Sequence, residues 1–112
     1  MVRAVFYLGR KLPYQGFALT GHSGHAAYGQ DIVCAGISGL ALSIAQGLEH
    51  YLETKVIIDQ AESGWLQVLV SEGICTDQEL CRAEALFGTL KLGFESIIKR
   101  YPGTMEIVES EV

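Results

Sequence analysis

The sequence predicts one α+β domain in which a mostly antiparallel sheet packs with two helices, in the order ββαββαβ. Five short runs rich in β-branched and aromatic residues and two apolar patterns of helical spacing support this prediction. The chain has 112 residues, enough for one domain with a modest core, and no linker or repeat divides residues 1–112. Its composition, 49% hydrophobic and 19% charged, is typical of a globular protein.

Five segments are predicted as strands. They span residues 2–8, 14–21, 54–59, 65–70 and 104–108. Turn residues between the first two segments, ending at Pro13, predict that these strands form a hairpin. Ser63 and Gly64 predict a turn before the fourth strand. The acidic tail after the last strand is expected to fray.

Capping residues and apolar spacing predict the two helices. Asp31 is a good N-cap for a first helix that extends to about Leu52. Its apolar positions are Val33, Ile37, Leu40, Ile44, Leu48 and Tyr51. Thr76 and Glu79 form a capping box for the second helix, which Pro102-Gly103 stops. Its apolar positions are Leu80, Ala83, Phe87, Leu90, Phe94, Ile97 and Tyr101.

The first helix contains an unusual number of small residues. They are Ala35, Gly36, Ser38, Gly39, Ala41, Ser43 and Ala45. Each glycine costs about 1 kcal/mol of helix propensity relative to alanine, but small residues let another backbone approach closely. We therefore expect this helix to be buried against the sheet or against a second subunit.

Charge and cysteine content exclude several classes of protein. Lys and Arg number 8 and Asp and Glu 13, for a net charge of −5, which argues against direct nucleic-acid binding. No apolar stretch is expected to reach the ~20 residues of a membrane span, and the N-terminus is too short and alternating for a signal peptide. Cys34, Cys75 and Cys81 are an odd number without zinc-like spacing, which predicts a cytoplasmic protein without a disulfide framework.

Residues 21–34 carry two imidazoles, a carboxylate and a thiol, on His22, His25, Asp31 and Cys34. A thiol attacks as the thiolate, which a nearby imidazole and a helix N-terminus both favour. Cys34 is the third residue of the helix if Asp31 is its cap. An ionised Asp31 would oppose the thiolate by repulsion, so this residue either bonds an imidazole or serves only as a cap. The residues alone do not choose between the two histidines as the base, and Cys75 and Cys81 are expected to be structural.

A metal site is the most specific alternative interpretation of residues 21–34. His22, His25 and Cys34 are ligand types that zinc accepts, with Asp31 as the one evident fourth ligand. Their spacing matches no common structural zinc module. We therefore expect no metal and no cofactor, and a metal-dependent enzyme remains an alternative function.

The glycines of this stretch predict a mobile or tightly turning loop. They are Gly21, Gly24 and Gly29. A phosphate-binding loop is disfavoured, because the spacing is not that of Walker A and no Lys-Ser/Thr pair follows. Tyr28 either lines a substrate cleft or packs onto the domain. Residues 23–30 are expected to be mobile without substrate and to become ordered when a peptide binds.

The pair Gly21-His22, followed by the run Tyr28-Gly29-Gln30-Asp31-Ile32-Val33-Cys34-Ala35-Gly36-Ile37-Ser38, resembles the signature of the ribosomal-processing cysteine protease family, Prp. The chain length and the ββαββαβ order also agree with this family. Its members are small cytosolic bacterial proteins that remove an N-terminal extension from a large-subunit ribosomal protein. The resemblance implies that residues 1–112 form one cysteine protease domain acting in the cytoplasm on that extension.

The resemblance also implies roles for individual residues. His22 is the base and Cys34 the nucleophile of a dyad that cleaves a peptide bond through a thioester. His25 falls in a variable part of the family loop and inherits no role. The remaining motif positions are candidate substrate-binding or supporting residues: Gly21, Tyr28, Gly29, Asp31 and Ser38.

The family further implies a homodimer, with which the small residues of the first helix agree. It implies substrates with aromatic residues before the cut, which need an apolar cleft. No membrane or direct nucleic-acid partner is expected. A non-catalytic ribosome-assembly or binding protein that shares the fold is the second alternative function.

Overall fold

The computed structural model describes residues 1–21, 31–61 and 65–112. Its strands are β1 (Val2–Leu8), β2 (Tyr14–Gly21), β3 (Val56–Ala61), β4 (Trp65–Val70) and β5 (Met105–Ser110). Its α-helices are α1 (Ile32–Leu52) and α2 (Asp77–Arg100), and short 3₁₀ turns occupy Glu53–Lys55 and Glu72–Ile74. The predicted α+β class and ββαββαβ order are confirmed.

The five strands form one sheet with the order β3-β4-β2-β1-β5. β1 and β2 pair as the predicted hairpin, with Phe6 opposite Phe17, and β4 pairs antiparallel with both β2 and β3. Only β5 lies parallel to its neighbour, with Val2 of β1 opposite Met105. The chain therefore returns to its own N-terminal strand at the end of the sequence.

Both helices pack on the same face of the sheet and share one core with it. Phe94 of α2 lies against Phe6, with ring centroids 6.2 Å apart, and Phe87 lies against Phe17 at 6.3 Å. The buried positions of α1 are Val33, Ile37, Ala41, Ile44, Ala45, Leu48 and Leu52. The periodic apolar residues thus cover the sheet as their spacing predicts.

The two helices are antiparallel and touch at glycines. A Cβ at Gly93 of α2 would collide with the side chain of Leu40 of α1, and one at Gly47 of α1 would lie 3.5 Å from Leu86 of α2. Both contacts fit one antiparallel register, because the contacting residues lie seven positions apart on each helix. Extending that register by six residues sets Lys99 level with Cys34.

Several element details differ from the sequence prediction. β3 begins at Val56 and not at residue 54, because Glu53–Lys55 forms a 3₁₀ turn after α1. Tyr51 is exposed, since Leu52 takes the core position at the end of α1 and Tyr51 turns towards Arg82, whose guanidinium lies 5.1 Å from its ring. The last strand extends to Ser110.

The small residues of α1 divide between two faces. Ala41 and Ala45 are buried on the sheet, whereas Ala35, Gly36 and Gly39 are exposed. Among the described residues, a Cβ at Gly36 or Gly39 would meet nothing within 4 Å. The close approach expected of these glycines is therefore not made by the sheet.

α1 is also long and apolar enough, by length and composition, to cross a membrane, contrary to the expectation from sequence. The reason is that Gly, Ala and Ser leave Glu49 as the one charged residue between Ile32 and Leu52. Its apolar face, however, packs on the sheet core. It is the core helix of this domain.

Candidate functional site

Gly21 ends β2 at one end of the sheet. Its φ of +88° favours glycine, and a Cβ here would also collide with the carbonyl of Met1. Gly21 lies opposite Val2 in the hairpin. The chain therefore leaves the sheet at a fixed point and in a conformation that requires glycine, immediately before residue 22.

Asp31 is the N-cap of α1, as its sequence position predicts. Its backbone is extended, with φ −85° and ψ 99°, and its carbonyl accepts the N–H of Ala35 at 3.1 Å. One carboxylate oxygen, Oδ1, accepts the N–H groups of Val33 and Cys34, each at 3.0 Å. Asp31 is only 6% exposed, so this cap is buried and well defined.

Cys34 is the third residue of α1 and is half-buried against the core. Its backbone N–H donates to Asp31 Oδ1, as does that of Val33. Ser38 is exposed one turn further along the same side of the helix. The structure thus brings Asp31, Cys34 and Ser38 together at the start of α1.

The remaining predicted site residues lie outside the described residues. These are His22, His25, Tyr28 and Gly29. The pairing of His22 with Cys34, the ordering of residues 23–30 and the alternative metal site therefore remain predictions. In the part of the chain that the structure describes, no three His, Cys, Asp or Glu side chains are grouped so as to hold a metal ion.

The other two cysteines have different surroundings. Cys75 lies between the second 3₁₀ turn and α2, and its Sγ donates to the carbonyl of Ser71 at 3.4 Å. Burial, aided by the negative charge of Glu79, raises the pKa of the Cys75 thiol, which disfavours its thiolate. Cys81 is exposed on α2.

Sequence reasoning did not single out the C-terminal end of α2. A cavity of about 510 Å³ is lined there by Ser96, Lys99, Arg100 and Tyr101. The available signal was the adjacent pair Lys99-Arg100 just before the helix stop at residues 102–103. Basic residues at that position are also what a helix C-terminus favours, which makes the signal unspecific.

A side-chain and a backbone hydrogen bond of Thr104 connect this end of α2 to the end of β2. The Tyr101 carbonyl accepts the Thr104 hydroxyl at 2.6 Å, and the Thr104 carbonyl accepts the N–H of Val2 at 3.0 Å. Val2 in turn pairs with Gly21. The cavity, the end of β2 and the first turn of α1 therefore share one end of the domain.

Comparisons with known proteins agree on one family. The family model described as "Cysteine protease Prp" matches residues 1–106. No curated protein sequence matches the chain.

Among solved structures, the chain is similar to the essential ribosomal processing protease Prp from S. aureus in complex with a covalently linked product peptide. The TM-score is 0.82 at 18% identity, over 98% of this chain and 100% of that one. The same S. aureus protease with a substrate peptide gives a TM-score of 0.77 at 17% identity, over 98% and 100%. SMU.848 from Streptococcus mutans gives a TM-score of 0.73 at 25% identity, over 100% of this chain and 96% of that one.

Proposed function

Because this chain belongs to the cysteine protease Prp family, we propose that it removes the N-terminal extension of a large-subunit ribosomal protein. The family match over residues 1–106 carries the proposal, since it includes the whole stretch from Gly21 to Ser38. Similarity of fold to the S. aureus protease with bound peptides supports it. The half-buried Cys34 at the start of α1 is the group that the chemistry requires.

The proposed reaction uses Cys34 as nucleophile and His22 as base. His22 accepts the Cys34 proton, and the thiolate attacks the carbonyl carbon of the scissile peptide bond. The tetrahedral intermediate collapses to a thioester, and His22 returns the proton to the departing amine. Water then attacks the thioester with His22 again accepting a proton, which releases the carboxylate product and restores the thiol.

Stabilisation of the oxyanion requires hydrogen-bond donors that are available to the substrate. The N–H groups of Val33 and Cys34 both bond to Asp31 Oδ1. For the Cys34 N–H to stabilise an oxyanion, the carboxylate has to give up one of its two hydrogen bonds when the peptide binds. Otherwise the donors come from outside the helix start.

The setting proposed for this activity is the cytoplasm, with the chain acting as a homodimer. Three free cysteines support a reducing compartment. The exposed small residues of α1 support an interface between two copies, because they permit close approach of another backbone. No metal, cofactor or direct nucleic-acid contact enters the proposed reaction.

A peptide that copies the ribosomal extension tests the dyad. Cys34→Ser is expected to abolish cleavage, and His22→Ala to lower turnover by about 10²–10⁴-fold, the usual contribution of a general base. Cys75→Ser is the matched thiol control and His25→Ala the matched histidine control, and both are expected to cleave well. Cleavage is followed by mass spectrometry of the two products.

Each negative result of these experiments contradicts a different part of the proposal. Full activity of Cys34→Ser would refute the cysteine-protease mechanism, and a more damaging His25→Ala would show that the base is misassigned. Tight binding of the peptide by the unmodified protein without any cleavage would favour the non-catalytic ribosome-assembly alternative. Metal analysis of freshly purified protein tests the metal-dependent alternative separately.

A further inference from the structure

Lys99 and Arg100 are two cations at the end of α2 that form no ion pair with any described residue, and they line the cavity of about 510 Å³. Ser96 also lines it, but its hydroxyl donates to the Leu92 carbonyl at 3.1 Å. The charged donors at this cavity are therefore the ammonium of Lys99 and the guanidinium of Arg100. Both charges are exposed, in a chain whose net charge is −5.

The aromatic wall of the cavity shapes this site. The Arg100 guanidinium lies over the ring of Tyr101, 6.0 Å from its centroid. A guanidinium that contacts a ring in this way keeps N–H donors with which it can bind a planar, two-oxygen anion. The combination of a fork-like donor, a second cation and an apolar ring fits a carboxylate carried on a peptide.

The cavity is also within reach of a peptide bound at Cys34. The helix register sets Lys99 level with Cys34, and Tyr101 is linked through Thr104 to the end of β2. Packed helices lie about 8–10 Å apart, and extended peptide advances about 3.3 Å per residue. A substrate in extended conformation therefore covers this interhelical distance with about three residues, and the length of the Lys99 and Arg100 side chains extends the reach to about five residues.

We propose that the cavity at the end of α2 binds a carboxylate of the peptide substrate through Lys99 and Arg100, an inference that rests on the proposed function. The carboxylate has two chemical sources. It is either an acidic side chain three to five residues from the cut or the terminal carboxylate that cleavage creates. Two cations are too few for strong binding to a phosphate backbone, so a peptide fits this site better than RNA does.

The first experiment compares cleavable peptides that carry Glu or Gln at the positions three to five residues on either side of the cut. The unmodified protein is expected to prefer one Glu peptide about tenfold in kcat/KM, through KM and not through kcat, since the cavity does not touch the reacting atoms. The double variant Lys99→Gln/Arg100→Gln is expected to lose this preference. Arg82→Gln, which removes an exposed cation from the same helix about 25 Å away, is expected to keep it.

The second experiment tests the other source with product peptides that end in a free carboxylate or in an amide. Stronger inhibition by the acid, lost in the double variant, assigns the cavity to the new terminus. Lys99→Glu is expected to reverse the preference, so that a peptide with Lys at the same position is cleaved better than the Glu peptide. A purely structural role of Lys99 would not cause this reversal. Circular dichroism shows whether each variant is folded.

The outcomes separate this inference from the proposed function. If no peptide is cleaved, the function fails, but binding of the same Glu and Gln peptides to Cys34→Ser, followed by fluorescence anisotropy, still tests the cavity. Absence of any Glu/Gln or acid/amide discrimination overturns the inference. So does equal loss in the double variant and in Arg82→Gln, or selective loss of oligoribonucleotide binding in the double variant without an effect on peptides.

Discussion

Asp31 has two effects at the start of α1 that oppose each other. Its Oδ1 satisfies the N–H groups of Val33 and Cys34, which stabilises the helix, and the same bonds withhold these donors from a substrate. The position is therefore a compromise between folding and chemistry, of the kind that functional sites often show.

Substitutions at Asp31 separate the cap from the charge. Asp31→Asn keeps an acceptor oxygen and is expected to change the free energy of unfolding little, whereas Asp31→Ala is expected to lose about 1–2 kcal/mol. Urea unfolding of both variants measures this. Equal losses would show that the carboxylate stabilises the fold through its charge and not as a cap. If Asp31→Asn unfolds normally but cleaves the peptide poorly, Asp31 has a role in the reaction beyond the cap.

The cap was predictable from the residues, because an Asp directly before a helical apolar pattern satisfies a local requirement. That one oxygen binds two N–H groups, and that Cys34 is only half-buried, depends on the path of the chain around the helix start. The basic cavity was missed for a similar reason. Lys99 and Arg100 are ordinary residues for a helix end until the register of α1 and α2 brings them level with Cys34.

At the level of elements, the start of α2 is stabilised by a hydrogen-bonded network. Thr76 and Glu79 form the predicted capping box, in which the Thr76 N–H donates to Glu79 Oε1 at 2.8 Å. The same oxygen accepts Lys55 Nζ at 2.6 Å. Glu79 therefore connects the 3₁₀ turn after α1 to the first turn of α2, which the local sequence did not indicate.

This network predicts a pH dependence of stability. The hydrogen bond from Lys55, followed by that from Thr76, lowers the pKa of Glu79 below its ordinary 4.5. Its stabilising effect is therefore complete above pH 4.5 and is lost as the pH falls through the lower, folded-state pKa. The bond to Glu79 also raises the pKa of Lys55 above 10.5, so the contribution of Lys55 is complete below pH 10.5 and is lost above it.

The measurement is urea unfolding of the unmodified protein and of Glu79→Gln at pH 7, 4.5 and 3. The variant keeps an oxygen that accepts the Thr76 N–H but has no charge for Lys55. The difference in unfolding free energy between the two proteins is expected to shrink below pH 4.5. A difference that stays constant down to pH 3 would show that the charge of Glu79 contributes nothing.

Helices and strands differed in how far the sequence predicted them. Both helix starts were correct, because capping and apolar spacing are local signals. The start of β3 was two residues early, since Glu53, with a φ of 55°, directs the chain into a 3₁₀ turn before the strand. Residues 54 and 55 are compatible with a strand in composition, and only the connection to α1 prevents it.

For the whole molecule, the arrangement of strands was not predictable from local patterns. The alternation of residues identifies β5 as a strand but does not say that it lies parallel to β1 at the edge of the sheet. That choice depends on the crossover through α2, which carries the chain from β4 past β2 and β1 to the far edge of the sheet. Its consequence is functional, because it brings the end of α2 to the end of β2, where the segment with His22 begins.

The exposed face of α1 that contains Gly36 and Gly39 predicts how two copies of the chain assemble. Gly36 and Gly39 are exposed and cost helix propensity, yet they contact no described residue that would require glycine. An interface between two copies explains both features, because only small residues allow helices to meet closely. We expect the protein to be a homodimer at micromolar concentration, paired through this face.

Gly39→Leu tests that interface and leaves the subunit fold intact. A Cβ at Gly39 meets no described residue within 4 Å, and leucine favours the helix by up to about 1 kcal/mol relative to glycine, so the variant is expected to fold at least as stably but to sediment as a monomer. Gly88→Leu on α2, where a Cβ also has no described neighbour within 4 Å, is the matched control and is expected to remain dimeric. Sedimentation velocity distinguishes the species. A dimeric Gly39→Leu protein would exclude this face as the interface, and an unmodified protein that is monomeric at micromolar concentration would exclude the homodimer altogether.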